Sequence, residues 1–464
     1  MRTLTVIALV VLAALAATPA AAQNIDYAMR TTAAFEVDAP RDLAGGRNDN
    51  NLFLNLAPRA IFEFNPSWMA YVRGRVFLPT GRIAPFDSSD PDDRRPARAY
   101  AGINEFWLQY GGFTSYPGEA VRLGRQHIRQ ADSSWWDQDA DALRWILDTT
   151  LLDAELGVAH PFSTFRTDGA DVPVAQRHRT YYFGQIAADW RAGNRIGFRI
   201  VHSSGRDGQS FSTDINVPDS ALPKAQLTWA GLYAENGFYD LLGTNRLLSY
   251  AGEVTYLIGQ QDTAPGSSQT SQDVNAWEAS AQLRWRPMRH WPVQLGGAYV
   301  FSEGGERDGR SHQFQQTGMQ SNSSYFTGTS TLMGRYNETL QAQLGNLRVA
   351  TAFVSLALPA NEASLVFARF RRDDGNAPIF TDNVVAAPVN SSKDIGDGVD
   401  LVFTHYFARE QRRQRLLDRG DAFTAPKRRS LISLRASVFR PGEAYGPDAR
   451  TDYRALLEGT VWLD

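Results

Sequence analysis

The chain has 464 residues, with 47 basic and 50 acidic side chains, no cysteine, 11 tryptophans, 17 tyrosines and 25 phenylalanines. Without cysteine there is no disulfide, cysteine zinc site or thiol nucleophile, and a formal net charge of −3 gives no overall attraction to nucleic acid. Only Lys224, Lys393 and Lys427 are lysines, so arginine supplies nearly all of the positive charge. This bias suits repeated recognition of planar carboxylates by guanidinium groups, or it reflects the composition of the genome.

The N-terminus has the pattern of a secretory signal. Arg2 precedes an apolar run from Leu4 to Ala17, and the small residues 20–22 follow Pro19. We predict that residues 1–22 are a signal peptide and that 23–464 form one mature domain. The alternative, a transmembrane anchor, is disfavoured because the apolar run is shorter than about 18 residues.

Alternation of apolar and polar residues with period two recurs along the whole mature chain. Around residue 280, Trp277, Ala279 and Leu283 oppose Glu278 and Gln282. This pattern is typical of strands with one apolar and one polar face. It predicts eighteen strands, at 25–37, 51–65, 67–79, 100–110, 120–129, 138–148, 151–160, 179–190, 194–203, 224–235, 247–258, 273–286, 291–302, 347–358, 363–372, 398–407, 430–440 and 451–463.

The connections between these strands alternate in length. Those after even-numbered strands are mostly short, such as 149–150 and 191–193, whereas those after odd-numbered strands are long and polar, such as 161–178 and 303–346. Short periplasmic turns and long extracellular loops are typical of outer-membrane barrels. We therefore predict an all-β fold, a single transmembrane antiparallel β-barrel of about 18 strands in the bacterial outer membrane. Tryptophans beside the short turns are expected to form an aromatic girdle: Trp68, Trp190, Trp285 and Trp291.

The alternation also predicts which charged side chains face the lumen. An arginine facing lipid at mid-bilayer costs about 2–4 kcal/mol, so charged residues are expected inside. The inward set comprises Arg30, Glu36, Arg59, Glu63, Arg73, Arg75, Asp153, Glu155, Asp189, Arg195, Arg199, Glu253, Arg284, Arg286, Asp400, Arg435, Arg454 and Glu458. Such a lining suits a polyanion that moves through water, or the paired charges only fill and brace the lumen.

Two segments carry a family resemblance. Residues 121–137, which include Leu-Gly-Arg-Gln and Trp135-Trp136-Asp137, and the near-terminal residues 434–445 resemble the alginate export porins of bacterial outer membranes. The resemblance covers essentially the whole mature chain. It implies an 18-stranded barrel that passively conducts a polyuronate outward through an arginine-lined constriction.

The resemblance also implies particular lining residues. Arg125 and Arg435 match by motif, Arg129 lies in the same motif as Arg125, and five more match by position in presumed equivalent strands: Arg144, Asp153, Asp189, Arg348 and Arg369. Arg125 shares its parity with the outward-predicted Val121 and Leu123, so an inward Arg125 requires a bulge near Gly124. The alternation around Arg348 and Arg369 is too weak to orient them.

One connection breaks the length rule. Segment 408–429 should be a short turn, yet it is long and holds eight basic and three acidic residues. Either it is a solvated charged loop, or it is a periplasmic flap across the pore mouth, as a long basic turn in the resembled family implies.

Other motifs are weaker. Asp137, Asp139, Asp141 and Asp148 mimic part of a calcium loop, but Ala142 stands where that loop needs glycine. No Gly-x-Ser-x-Gly, P-loop or dinucleotide motif is present, and we predict no enzyme and no cofactor, with structural calcium as the open alternative.

The predicted function is an outer-membrane porin for an anionic polysaccharide or uronate oligomers. Expected partners are outer-membrane lipid and periplasmic secretion components, without nucleic acid, for a barrel that is a monomer. The alternatives are a general or oligosaccharide-uptake porin and a secreted carbohydrate-binding or carbohydrate-degrading β-protein. The sequence leaves export or uptake, and the identity of the polymer, open.

Overall fold

The computed structural model describes most of residues 24–463. The described residues are 24–38, 42–45, 48–80, 99–114, 116, 118–168, 178–206, 224–239, 246–262, 271–289, 291–408 and 430–463. The predicted signal peptide and residues 409–429 of the basic segment lie outside the described residues.

Eighteen long strands run through the described residues, as the alternation predicts, and most bounds differ from the predicted ones by a few residues. We number them β1 to β18 in chain order. They are Asn24–Asp38, Asp49–Asn65, Trp68–Pro79, Tyr100–Tyr110, Glu119–Arg129, Asp137–Asp148, Leu152–His160, Arg179–Arg191, Asn194–Arg206, Lys224–Glu235, Leu248–Asp262, Ser271–Trp285, Val293–Ser302, Leu347–Ala357, Asn361–Arg372, Asp394–Ala408, Ser430–Pro441 and Asp452–Leu463.

The strands close into a barrel. Each strand pairs antiparallel with the next, and β18 returns to pair with β1, with Met29 opposite Leu463. In the connection between β13 and β14, four two-residue strands form two small hairpins, 306–311 and 323–334. The described residues contain one short 3₁₀ turn, Glu443–Tyr445, and no helix long and apolar enough to cross a membrane. The predicted fold, a single antiparallel barrel, is confirmed.

The two faces of the wall differ in chemistry. On β10, Trp229 faces the lumen and is 1% exposed, whereas Leu232 points outward and is 61% exposed. This alternation recurs around the barrel and gives the outside an apolar band. Outward apolar side chains include Leu143, Leu156, Tyr182, Ile186, Val254, Ile258, Leu283, Leu365, Phe367, Leu401, Phe403 and Leu457.

The two ends of the barrel also differ. The short connections 66–67, 149–151, 192–193, 286–292 and 358–360 lie at one end, which we call the turn end, and the connection 303–346 lies at the opposite end, the loop end. Gly193 in one short turn has a φ of +64°, a left-handed conformation that glycine adopts without strain. The four girdle tryptophans, Trp68, Trp190, Trp285 and Trp291, are exposed beside turn-end connections.

Candidate functional site in the barrel lumen

The β5–β6 hairpin leaves the barrel wall before it ends. Pairing of β5 with β4 stops at Arg125 opposite Phe106. Just beyond this point, the His127 backbone N–H donates to the Glu105 carboxylate, at 2.9 Å, instead of to a strand carbonyl. At Gly124 (φ +124°) the strands come so close that a Cβ would lie 2.4 Å from the Phe106 carbonyl oxygen, so only glycine fits.

Another segment covers the edge of β4 that the hairpin vacates. Residues 165–167, from the connection after β7, pair with residues 101–103 of β4. Ile103 N–H donates to the Phe165 carbonyl at 3.2 Å, and Thr167 N–H donates to the Ala101 carbonyl at 2.9 Å. The backbone hydrogen bonds of the wall are therefore satisfied although the hairpin bends inward.

The tip of the hairpin, residues 130–136, lies inside the lumen. Its Asp132 accepts from Arg199 of β9 at 3.0 Å, and its Trp135 indole N–H donates to Glu253 of β11 at 2.8 Å. Arg199 Nε also lies 3.2 Å from Glu253. Burial opposes ionisation of Asp132, but the adjacent Arg199 guanidinium outweighs it and holds the pKa of Asp132 below its ordinary value. The tip is thus fixed to the wall by buried charges.

The long segment 303–346 also folds into the lumen and reaches the turn end. Near its deepest point, the Ser330 N–H donates to Glu362, the second residue of β15, at 2.7 Å. Gln294, the second residue of β13, donates its side-chain N–H to the Gly328 carbonyl at 3.2 Å. Both partners begin strands at short turns, so the segment spans much of the length of the barrel.

The hairpin tip and segment 303–346 form one interlocked body. The Asp137 N–H donates to the Met319 carbonyl at 2.5 Å, and Trp136 and Met319 form a parallel bridge. The Ser321 hydroxyl donates to the Asp137 carboxylate, and the Thr317 hydroxyl donates to the Trp135 carbonyl. We call this body, residues 130–136 and 303–346, the lumen insert.

One group of predicted lining residues is buried by wall or insert atoms. Arg144 of β6 donates to Glu155 at 2.7 Å. Arg284 of β12 donates to the backbone carbonyls of Phe238 and Phe326, at 2.7 and 3.1 Å. Arg199, bound to Asp132 and Glu253 as described above, belongs to the same group. Their side chains are almost fully buried, so they brace the lumen rather than face open water.

A second group of predicted lining arginines keeps part of its surface accessible. Arg435 of β17 donates to Glu338 of the insert at 3.0 Å and stays 20% exposed. Arg73 of β3 contacts Glu105 and Asp139, at 3.0 and 3.3 Å, and is 19% exposed.

Three further arginines belong to this accessible group. Arg75 donates to Asn55 at 3.2 Å and lies over the Phe77 ring, and Arg59 on β2 is in register with Arg73. Arg129, where the hairpin enters the lumen, donates to the Ser323 carbonyl at 3.4 Å. All three are only partly buried.

The predicted carboxylates Asp153 and Asp189 meet one arginine near the turn end. Arg195 of β9 lies 2.6 Å from Asp153 and 3.0 Å from Asp189. With two carboxylates around one guanidinium, this group carries excess negative charge within the lumen.

Three predicted lining residues lie on the outer face of the barrel, and these predictions are corrected. Arg348 shares the face of the exposed Val354, and Arg369 that of the exposed Phe367. Arg125 stays on the outer side with Leu123, because β5 pairs with its neighbours through Gly124 without the register shift that an inward Arg125 requires.

Each of the three outward arginines has polar partners on its own face. Arg125 lies beneath the Phe165 ring and 3.2 Å from Asp141. Arg348 and Arg369 pair with aspartates near the loop end. An outward arginine is tolerated there because water or paired charge solvates it outside the apolar band.

Histidine and aspartate residues cluster where the hairpin leaves the wall. His127 contacts Asp139 through Nδ1 at 2.9 Å and Asp137 through Nε2 at 2.8 Å. Among the described residues no three His, Cys, Asp or Glu side chains are grouped to hold a metal ion. The aspartates of the calcium-like motif lie on β6, and the prediction of structural calcium remains untested.

The residues that organise the insert could not be predicted from strand alternation. Asp132, Glu338 and Arg335 lie in connections, where strand alternation gives no orientation. A usable signal is composition, because residues 311–332 are rich in Gln, Ser, Thr, Asn and Gly and contain no Lys, Arg, Asp or Glu. Uncharged polar side chains can satisfy hydrogen bonds inside a protein at a lower desolvation cost than charged ones.

Comparisons with known proteins agree with this architecture. The profile of the alginate export family matches residues 22–455. The alginate production protein AlgE of Pseudomonas aeruginosa is 34% identical over 95% of this chain and 92% of its own length. That of Pseudomonas syringae pv. tomato is 32% identical over 95% of this chain and 94% of its own length.

Solved structures support the fold. Acinetobacter baumannii OccAB4 matches with a TM-score of 0.56 and 8% identity, over 96% of this chain and all of its own length. Pseudomonas aeruginosa OpdK, crystallised with vanillate, matches with a TM-score of 0.56 and 8% identity, over 95% of this chain and 99% of its own length. At such identities the likeness shows the barrel architecture alone. The family profile and the relatives above 30% identity settle the membership: the chain belongs to the alginate export family.

Proposed function

We propose that this barrel conducts an alginate-like polyuronate outward by passive diffusion through a lumen lined by accessible arginines. The chain is an outer-membrane protein of a family of export porins, and not an enzyme. The observation that carries the finer proposal is the second arginine group, Arg59, Arg73, Arg75, Arg129 and Arg435, which keeps accessible surface in the lumen, unlike the buried Arg144, Arg199 and Arg284.

The neighbouring carboxylates of these arginines allow a polyuronate to be released as well as bound. A guanidinium fork pairs well with a uronate carboxylate. Conduction requires that each contact remain weak enough to break. Glu338 beside Arg435 and Glu105 beside Arg73 compete with the polymer for the same donors, so each contact with a polymer carboxylate is weakened.

The orientation follows from the lengths of the connections. Short turns of such barrels lie in the periplasm and long loops outside the cell. In this orientation segment 303–346 enters the lumen from outside, and an exported chain meets the Asp153, Asp189 and Arg195 group near the periplasmic mouth. The excess carboxylate there would repel a polyanion along that part of the wall and favour the arginine-bearing part.

Planar-bilayer recording tests the proposal. The purified barrel is expected to be anion-selective in a KCl gradient, and polymannuronate, but not neutral dextran of the same length, is expected to block the current. Arg75→Gln with Arg435→Gln should reduce both effects. The matched control is Arg371→Gln, which removes an exposed arginine from the outer face.

Two results would contradict the proposal. Cation selectivity of the unmodified barrel would exclude arginine-controlled conduction. Equal block by polymannuronate and by single uronic acids would instead favour an uptake porin for small acids.

A further inference from the structure

Arginines concentrate on one part of the outer face, near the loop end of β14, β15 and β17. The strand alternation places four of them outward, in step with exposed apolar residues such as Phe367 and Val438. We call them the outer arginine patch: Arg348, Arg369, Arg371 and Arg440.

The strand register brings the patch together. Arg348 on β14 is directly opposite Arg371 on β15. Arg369 is in register with Asp397 on β16, and Asp397 is in register with Arg440 on β17. Arg371 and Arg440 therefore lie two strands apart, about 10 Å across the sheet and about 7 Å along it. Long arginine side chains can reach a shared ligand over this separation.

Two of the four arginines are neutralised by neighbouring aspartates. Arg348 lies 2.5 Å from Asp373. Arg369 lies 2.8 Å from Asp394 and 2.6 Å from Asp397. These pairs engage Asp373, Asp394 and Asp397, the carboxylates nearest to the patch.

The other two retain their positive charge. Arg371 and Arg440 are exposed and form no ion pair with any residue that the structure describes. Arg371 lies directly opposite Arg348, whose charge Asp373 already neutralises. The charge of Arg371 is therefore available to a bound anion.

An apolar row lies immediately below the charged row. Phe367, Val399 and Val438 are the next outward residues toward the turn end on β15, β16 and β17, they are in mutual register, and they are 47%, 41% and 41% exposed. The Cα of Arg440 thus lies about 7 Å above this lipid-facing row, and that of Arg371 lies about 13 Å above it. A free anion in solution would contact only the arginines, whereas a lipid can contact the arginines through its headgroup and the apolar row through its acyl chains.

Another part of the wall lacks this arrangement in the two corresponding rows. Across β8 to β11, the outward row Tyr182, His202, Thr228 and Ile258 contains no arginine or lysine. The next row toward the loop end, Thr180, Ser204, Gln226 and Gln260, contains none either. The row beyond holds Lys224, in register with Arg206 and beside Asp262, so in this part of the wall cations lie farther from the apolar row than Arg369 and Arg440 do in the patch.

We propose that the outer arginine patch binds the phosphates of a phosphorylated glycolipid of the lipid A type in the outer leaflet. Arg371 and Arg440 contact the phosphate groups, and Phe367, Val399 and Val438 contact its acyl chains. Phosphate is a strong acceptor for guanidinium forks, and basic clusters beside an apolar membrane surface recognise anionic headgroups. The proposal rests on the outer-membrane location and not on the proposed conduction.

Binding of defined lipids to the intact barrel tests the proposal. The barrel in detergent is titrated with bisphosphorylated lipid A, monophosphorylated lipid A and pyrophosphate, and binding is followed by native mass spectrometry and by the shift in Tm. We expect bisphosphorylated lipid A to bind tightest and pyrophosphate to have little effect. Arg371→Gln with Arg440→Gln should weaken binding of bisphosphorylated lipid A at least about tenfold, since charge-assisted hydrogen bonds are lost at two sites.

The matched controls separate this site from general charge effects. Lys224→Gln removes an exposed cation from β10, outside the patch, and should leave lipid A binding unchanged. Arg371→Lys with Arg440→Lys should restore part of the binding and shows that the positions tolerate substitution. Equal losses for Lys224→Gln and the double glutamine variant, or unchanged binding in the latter, would overturn the proposal. Binding of pyrophosphate as tight as that of lipid A would identify an anion site without a lipid.

Discussion

Two sides of the lumen use arginine in opposite ways. On the side of β9 and β11, Arg199 is enclosed by Asp132, Glu253 and the Tyr233 ring, and only 6% of its side chain is exposed. On β17, Arg435 pairs with Glu338, and 20% of its side chain is exposed. The first arginine is bound to the tip of the lumen insert, and the second keeps part of its surface accessible.

The difference shows that residue type and inward direction do not define a pore lining. Burying a guanidinium between carboxylates requires the removal of its water, and it leaves no N–H group free to bind a ligand. One that keeps water on one side can exchange water for a polymer carboxylate. The exposed fraction of each guanidinium, and not the number of its carboxylate partners, therefore separates a bracing arginine from one that a ligand can reach. Arg73 contacts two carboxylates and stays 19% exposed, whereas Arg284 is buried against backbone carbonyls.

The largest expected effect comes from removing the brace. Arg199→Leu leaves Asp132 and Glu253 buried without their guanidinium, which should cost about 3–5 kcal/mol of stability. It should also loosen the hairpin tip. Urea unfolding in detergent, followed by tryptophan fluorescence, measures the loss, because Trp135 lies at this contact.

Charge removal supplies the control for the brace. Adding Asp132→Asn and Glu253→Gln to Arg199→Leu removes the two orphaned charges and should recover much of the lost stability. If Arg199→Leu alone leaves the unfolding midpoint where it was, the buried charges do not hold the insert.

The next effect concerns the insert itself. Replacing residues 323–334 by a short glycine linker removes the part that reaches Glu362 and Gln294 at the turn end. Single-channel conductance should rise several-fold because the lumen widens. A linker in place of 306–311, the small hairpin at the loop end, is the matched control and should change conductance little. Equal conductance of the 323–334 variant and the unmodified barrel would mean that ions flow past the insert unhindered.

A smaller effect contrasts two buried carboxyls in connections. Asp132 has arginine partners and a lowered pKa, whereas burial raises the pKa of Asp382, beside Gln343, from 3.8 to about 6. The folded state then holds a proton that the unfolded state loses, so stability falls as pH rises from about 4 to about 6.

Asp382→Asn should remove this pH dependence and leave the variant about 1–3 kcal/mol more stable than the unmodified barrel at pH 7.5. At pH 4 the two should match. Hydrogen exchange of residues 340–344 at both pH values checks the prediction, and equal protection at pH 7.5 would refute it.

The sequence was sufficient for the wall and insufficient for the lumen. Period-two alternation predicts the eighteen strands because membrane strands expose one whole face to lipid, as Leu232 and Trp229 illustrate. It also places Arg199 and Arg435 inside, but it cannot tell them apart, since their partners Asp132 and Glu338 come from connections. Long-range contacts of connections leave no local period in the sequence.

The outward arginines show a second limit. Position in presumed equivalent strands assigned Arg348 and Arg369 to the lumen, yet a one-residue change of register moves a side chain to the other face. Arg348 has the same parity as Val354, and Arg369 has the same parity as Phe367, so both arginines point outward. Their orientation could be inferred only with the knowledge that they lie near the loop end, where charged side chains are tolerated on the outer face.

The smallest effect is expected from a substitution that removes the carboxylate partner of Arg435. Glu338→Gln removes the carboxylate 3.0 Å from Arg435 while it keeps the side-chain oxygen that accepts from the Gly334 N–H. Because a partly exposed ion pair contributes about 0.2–1 kcal/mol, polymannuronate should block the current about 1.5-fold to fivefold more tightly. Block constants in planar bilayers measure the change. The control is Glu362→Gln, which alters the contact between Glu362 and Ser330 of the insert. If polymannuronate blocks Glu338→Gln more weakly than this control, Arg435 needs its carboxylate partner in order to face the polymer.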